Sequence, residues 1–268
     1  MSFSSVGRYG RCCSRSGASR PIRQVRPWLP AQPSRRTAKM PPQISVIIPA
    51  LNEAESIGQV VASMPWSRIA ECIVVDNGST DETGALAAAA GARVITSPRG
   101  YGAAMHAGVL AALPTSEILV FLDGDGADVI EEMPRLVDPI TQNQADFVIG
   151  SRVAGAREPG SMLPSQVFAA HLISFLVRLL YGFRYTDMGA FRAIRRSSLD
   201  AMPMREHTFG WNLEMQIRAV QHHLRILEIP VPYRCRIGGE SKVSGNLRTS
   251  VTAALRIFGV FFRVRRGA

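Results

Sequence analysis

The pattern of apolar runs predicts an α/β domain with a mostly parallel central sheet flanked by helices. Three observations carry this prediction. Short β-branched runs alternate with segments of helical periodicity. The runs are apolar throughout rather than at alternate positions, as in strands covered on both faces. Acidic and amide residues stand directly after them, where an open parallel sheet meets its ligands. The 268 residues, 46% hydrophobic and 19% charged, suffice for one large core.

The elements follow in order. Residues 1–42 are rich in Ser, Arg, Pro and Gly without apolar periodicity, and read as a disordered basic tail. Nine of the 31 basic residues fall in the first 40 positions, which hold no Asp or Glu; 22 basic and 21 acidic residues remain. The body is thus nearly neutral, and nucleic acid is not an expected partner. Strands are predicted at Ile44–Pro49, Cys72–Asp76, Ala92–Thr96, Ile118–Asp123 and Asp146–Ile149. Ala54, Ile57, Val60, Val61 and Met64 mark a first crossover helix. Ser79-Thr80-Asp81-Glu82 offers a capping box to a second, alanine-rich one. Beyond Ile149 the rhythm loosens into an amphipathic stretch from Ser165 to Tyr181, a segment at Phe191–Arg196, a helix near Asn212–His222 and a strand from Ile226 to Tyr233. A single domain over 43–264 is expected, with a ligand-binding half at 43–152 and an acceptor-side half at 153–264.

Several classes fall away. Four cysteines without paired spacing exclude a disulfide scaffold. The two longest apolar stretches, 167–183 and 251–264, contain Arg178 and Arg256, so no uncharged run reaches the roughly 20 residues of a membrane span. The five histidines form no HxxxH or HExxH, and no GxSxG elbow is present.

The strand ends carry the chemistry. The first runs into Asn52-Glu53, the second into Asp76-Asn77-Gly78, the fourth into Asp123-Gly124-Asp125 and the fifth into Ser151-Arg152. Each alone is ordinary turn chemistry; three acidic sites on one edge are less so. Asp123 and Asp125, one residue apart, can both face a hard divalent cation that borrows its remaining ligands from phosphates. An EF-hand beginning at Asp123 fails at Ala127, Asp128 and Pro134. Gly100-Tyr101-Gly102 opens like a dinucleotide fingerprint, but its third glycine position is Met105 and it follows the wrong strand. Its glycines are expected to give a close turn into a helix from Ala103 to Leu113. Arg234 to Lys242 forms a basic, glycine-containing loop suited to phosphates.

Ile44 to Glu53 (ISVIIPALNE), Val74 to Thr80 (VVDNGST), Asp123 to Asp125, Gly150-Ser151-Arg152 and Gly239 to Lys242 together resemble family 2 glycosyltransferases of the GT-A fold, in particular the dolichol- or polyprenyl-phosphate mannosyltransferase branch. The resemblance spans roughly residues 43–262. It implies that Pro49, Glu53, Val74 and Asp76 hold the base and ribose of a nucleotide-sugar. Asp123 and Asp125 would hold Mg²⁺ or Mn²⁺ against its diphosphate, and Gly124 would lend backbone beside the donor. Arg152, Arg236 and Lys242 match basic positions around donor and acceptor phosphates. Asp187 and Glu214 match acidic positions near sugar and acceptor, making them the first and second candidates for a base if the acceptor is a hydroxyl. Leu51 stands where an aromatic is usual, which leaves GDP-mannose- and UDP-glucose-type donors both open.

The expected activity is inverting, metal-dependent hexosyl transfer to an acceptor, a polyprenyl phosphate in this reading. The expected setting is cytoplasmic, peripheral on the inner face of the cell membrane, with Val167–Tyr181 and Val251–Val264 as interfacial helices. The alternatives are a soluble hydroxyl acceptor and, in another class, a nucleotide- or membrane-binding module without turnover.

Overall fold

A computed structural model describes residues 42–238, 259–261 and 263–264. The basic tail, Lys242 and most of the 251–264 stretch lie outside the described residues.

The sheet has seven strands in the order β3-β2-β1-β4-β6-β5-β7. They are β1 (Ile44–Ala50), β2 (Glu71–Asp76), β3 (Arg93–Thr96), β4 (Ile118–Phe121), β5 (Phe147–Ser151), β6 (Arg192–Arg195) and β7 (Ile226–Pro230). β1, β2, β3 and β4 are parallel, with Ile47 opposite both Ile73 and Phe121. β5 and β7 are also parallel, while β6 runs antiparallel to both β4 and β5. The two halves expected from the sequence therefore share one sheet.

β1, β2 and β4 are buried almost throughout, as their unbroken apolar runs require. The expectation of a fully buried strand fails for β3, which is an edge strand and only half-buried. β6 is the strand least visible in the sequence, because Arg192 reads as an exposed position. Its side chain is fully buried, and its guanidinium donates to the backbone oxygens of Met188, Gly189 and Asn212. Burying a cation is tolerated here because carbonyls satisfy its donors.

Helices α1 (Ile57–Ala62), α2 (Thr83–Ala89) and α4 (Met133–Thr141) pack on one face of the sheet, where Val60, Ala87 and Leu136 join the core. Helices α3 (Tyr101–Ala111), α5 (Pro164–Tyr181) and α7 (Trp211–Gln221) cover the other, with Met105, Val177 and Trp211 inward; the short α6 (Arg196–Asp200) follows β6. Val260, Phe261 and Val264 join this second core. Helix α3 begins two residues earlier than expected. Gly102 lies inside it, where a Cβ would collide with the backbone of Glu206 and His207, so the glycine admits a close approach rather than a turn.

The expected capping box does not form either. Thr83 opens α2, and its N–H and hydroxyl both donate to Asp81 Oδ1. The same loop is tied to the end of β1: Asn52 N–H donates to Ser79 Oγ, Glu53 N–H to Thr83 Oγ1 and Ala54 N–H to Asp81 Oδ2. The polar run therefore joins two loops at the sheet's carboxyl edge.

Helix α5 is two-faced. Ala170, Ile173, Ser174 and Val177 are buried, whereas Phe168, Phe175 and Leu179 are 68%, 59% and 67% exposed. With Arg178 as its one charge it is long and apolar enough, by length and composition, to cross a membrane, although its inner face belongs to the core.

Candidate active site

The carboxyl ends of β1 and β4 part where the connections reverse direction, because β2 and β3 build out from one side of β1 and β4 lies on the other. A crevice forms at such a switch point. Here it has a volume of about 640 Å³ and is lined at one end by Pro49, Leu51, Glu53 and Asn77. Asp123, Gly124 and Asp125 line it beside Arg152, Tyr233 and Arg236, and Tyr101, Met188, Phe209 and Asn212 line it as well; the start of α3 meets Asn77, whose Oδ1 accepts the Gly100 N–H at 3.0 Å.

Asp123 and Asp125 come together as the sequence implies. Asp125 Oδ1 accepts the Ala127 N–H and Oδ2 meets Arg236 Nη2 at 2.7 Å. Arg236 also stands 4.0 Å from Glu53 Oε1. The Asp123 carboxylate accepts from Tyr101 Oη at 3.3 Å. Behind the pair lies a third carboxylate, Asp128, whose Oδ2 accepts the Asp123 N–H. Burial, and then the neighbouring Asp125, raise Asp123 to about 6. Burial and the charges of Asp123 and Asp125 raise Asp128 to about 8. Three acids with one close arginine are a site short of positive charge. The donors are all oxygens, which suits Mg²⁺ or Mn²⁺. Among the described residues no three His, Cys, Asp or Glu side chains are placed to enclose a metal, so a cation here needs further oxygens from a ligand such as a diphosphate.

The basic loop closes over this pair. Ile237 N–H donates to Asp125 O, and the Ile237 side chain sits against Gly126, where a Cβ would displace it. Lys242 of the same loop lies outside the described residues.

Other expected positions are placed differently. Val74 is fully buried in the core, so its side chain cannot touch a ribose. Asp76 accepts the Ser79 N–H, and its neighbour Asn77 lines the crevice instead. Arg152 does line it, but its guanidinium is held by Asp187 through two bonds of 2.8 and 2.9 Å and lies over the Tyr233 ring. Asp187 is wholly buried, and its Oδ2 also accepts the Arg152 N–H. Burial alone would push its carboxyl up; Arg152 reverses this and holds it below the usual range. Glu214 is buried as well, taken up by the Arg205 and Glu206 N–H groups and by Arg218. Neither acid lines the crevice, and both are structural ion-pair members. The sequence reading missed Asn77, Tyr101, Asp128 and Asn212. In the sequence Asp128 reads as a failed EF-hand position and Tyr101 as the middle of a glycine pair.

Paired carboxylates and arginines in a switch-point crevice define a class of enzyme that handles activated phosphate esters. The comparisons narrow the class. Residues 45–202 match the glycosyl transferase family 2 model, and the chain belongs to that family. It is a glycosyltransferase, which sets aside the module without turnover. An uncharacterized glycosyltransferase of Mycobacterium tuberculosis is 39% identical to it, over 81% of this chain and 97% of that protein. The undecaprenyl-phosphate mannosyltransferase of Micrococcus luteus is 32% identical over 76% of this chain and 89% of its own. Among solved structures, glucosyl-3-phosphoglycerate synthase of Mycobacterium tuberculosis, in complex with Mn²⁺, UDP-glucose and phosphoglyceric acid, superposes with a TM-score of 0.67 at 22% identity, covering 84% of this chain and 80% of that one. The architecture is the GT-A fold.

Proposed function

We propose that this glycosyltransferase moves a hexose from a nucleoside-diphosphate sugar to a polyprenyl phosphate, inverting the anomeric carbon. The observation that carries the reading is the acidic pair Asp123 and Asp125 in the crevice beside Arg236. Pro49, Glu53 and Asn77 take the nucleoside end, and the diphosphate lies at Asp123, Gly124 and Asp125. Both carboxylates would hold Mg²⁺ or Mn²⁺, which when bound neutralises charge growing on the leaving diphosphate. Arg236 adds positive charge on the same side. Lys242 belongs to this reading from the sequence alone, and Arg152 serves it by fixing the crevice wall with Asp187.

In the transfer an acceptor oxygen forms a bond to the anomeric carbon from the face opposite the diphosphate. The bond to the donor's β-phosphate oxygen breaks, and its electron pair departs with the diphosphate. A phosphate acceptor is already ionised at neutral pH and needs no base, whereas a hydroxyl does. Among the described residues the crevice-lining acids are Glu53, Asp123 and Asp125, which this reading assigns to the nucleoside and diphosphate, while Asp187 and Glu214 are sequestered. That distribution favours the phosphate. It agrees with the name of the Micrococcus relative.

The exposed face of α5 supports a membrane-peripheral setting, since Leu163 and Gln166 at its start line the crevice and Phe168, Phe175 and Leu179 are exposed farther along the helix. Such a face buries itself in the headgroup region. The test measures nucleoside diphosphate release with Mn²⁺ and saturating donor. A short polyprenyl phosphate is expected to react at least tenfold faster than the matching alcohol, one decade being 1.4 kcal/mol of barrier. Equal rates would overturn the acceptor assignment, and no release with any UDP- or GDP-hexose would overturn the donor assignment.

A further inference from the structure

The crevice contains a polar relay that the reading above leaves unused. Asn212 Nδ2 donates to Tyr101 Oη at 3.3 Å, and Tyr101 Oη donates to Asp123 Oδ1 at 3.3 Å. Both bonds are long, as in a site that tightens around a ligand. The amide oxygen of Asn212 is buried and has no hydrogen-bond partner among the described residues. A buried acceptor left open costs free energy, and it marks a place where a donor belongs. Asn212 is not spent on the fold in any other way through its side chain. Its link to Arg192 runs through the backbone oxygen, and its neighbours Trp211 and Leu213 supply the packing of α7.

Position along the crevice says what that donor is. The strand order β2-β1-β4-β6 sets the lining residues in sequence, from Asn77 after β2 and Glu53 after β1, through Asp123 and Asp125 after β4, to Met188 and Ala190 before β6. A nucleoside-diphosphate sugar laid along it places base, ribose, diphosphate and hexose in the same order. Asn212 lines the same crevice and is joined through Tyr101 to Asp123, the carboxylate assigned to the diphosphate, so the group it faces is placed at the hexose next to that diphosphate. Phe209, whose ring stacks on Tyr101 at 6.5 Å between centroids, adds an apolar wall suited to a sugar face.

Resting on the donor assignment above, we propose that Asn212 accepts a hydrogen bond from a hydroxyl of the transferred hexose and selects among epimeric sugars, while Tyr101 is a positioning residue that keeps this contact in register with Asp123. A site built to pair a hydroxyl discriminates against a donor that presents it wrongly, because its own polar group is then left unmatched.

The experiment measures equilibrium binding in Mn²⁺ of UDP, UDP-glucose, UDP-galactose, GDP and GDP-mannose to the wild type, Asn212→Ala and Tyr101→Phe, with thermal melts alongside. Asn212→Ala is expected to leave the Kd for UDP and GDP within about twofold. It should weaken the preferred nucleotide-sugar on the order of tenfold and flatten the ratio between epimers, the loss of one buried hydrogen bond. Tyr101→Phe, which keeps the ring, should show the same selective pattern at about threefold. A loss shared equally by nucleotide and nucleotide-sugar, or an unchanged epimer ratio in a folded Asn212→Ala protein, overturns the assignment while the proposed function stands. A wild type that binds the nucleotides but gains nothing from any hexose also overturns it. Binding of none of the five overturns the donor reading itself, and this inference with it.

Discussion

Two groups of carboxylates, one in the crevice and directly behind it and one paired off around it, are treated in opposite ways. Asp187, Glu214 and Glu206 each face an arginine, respectively Arg152, Arg218 and Arg263, at 2.6 to 2.9 Å. Of Asp123, Asp125 and Asp128, among the described residues only Asp125 is ion-paired, to Arg236 at 2.7 Å; the other two feel Arg152 without pairing with it. The first group is at rest electrostatically, and the second is held together against its own repulsion. Acids alone do not mark a reaction centre; acids whose charge the protein leaves uncompensated do.

The contrast is broken most sharply at Asp187. Asp187→Asn strands the Arg152 charge beside a neutral amide, and an unfolding free energy lower by about 3–5 kcal/mol is expected in urea titrations. Unchanged stability would mean that Arg152 finds another partner and that the group is not at rest. At Asp125 the consequence falls on chemistry instead. Asp125→Asn should lower kcat about 10²–10³-fold, the scale of one lost charge-stabilising contact, while the melting temperature holds or rises as repulsion is relieved. A variant that is both active and destabilised would reverse the assignment of roles.

The last expected effect is a pH dependence. Asp123 and Asp128 have folded-state pKa values raised from 3.8 to about 6 and about 8, so in that window the folded protein holds protons that the unfolded chain has released. Unfolding free energy contributed by this cluster is full below pH 4 and declines as pH rises, by on the order of 1 kcal/mol per unit for each group, Asp123 up to about pH 6 and Asp128 up to about pH 8. Asp187, whose pKa is lowered, contributes no slope there. Urea titrations at pH 5 and pH 8 should show the wild type losing more stability than Asp128→Asn over that interval. Equal losses would show that the acids are already neutralised.

This contrast also explains what the sequence made legible. Parallel strands announce themselves because a segment covered on both faces has no polar positions, which is why β1, β2 and β4 were readable almost to the residue. The Asp123-Gly124-Asp125 motif was readable because its partners are adjacent in the chain. Asp187 looked equally chemical, since an acid in a motif gives no sign of an arginine 35 positions away; Glu214 did too, although its partner Arg218 stands only four residues on. Tyr101 and Asn212 escaped for the same reason, being 111 residues apart and meaningful only as a pair. Arg192 hid β6 because a charged residue argues against burial until its carbonyl partners are known.

The placement of β6 between β4 and β5 bears on how the chain is made. β4 ends at Phe121, and the strand that covers its far edge begins about 70 residues later, at Arg192. At roughly 5–20 residues per second a nascent chain therefore carries β4 with one edge open for several seconds. β5 has emerged by then and carries the apolar run Phe147 to Ile149, but its register belongs to β6 and β7. An open, flat, apolar edge is a template for wrong pairing. Synthesis rate and chaperone supply, more than final stability, are thus expected to govern the yield of this enzyme. Slowing translation beyond residue 121 should lower the soluble fraction without changing the melting temperature of what folds.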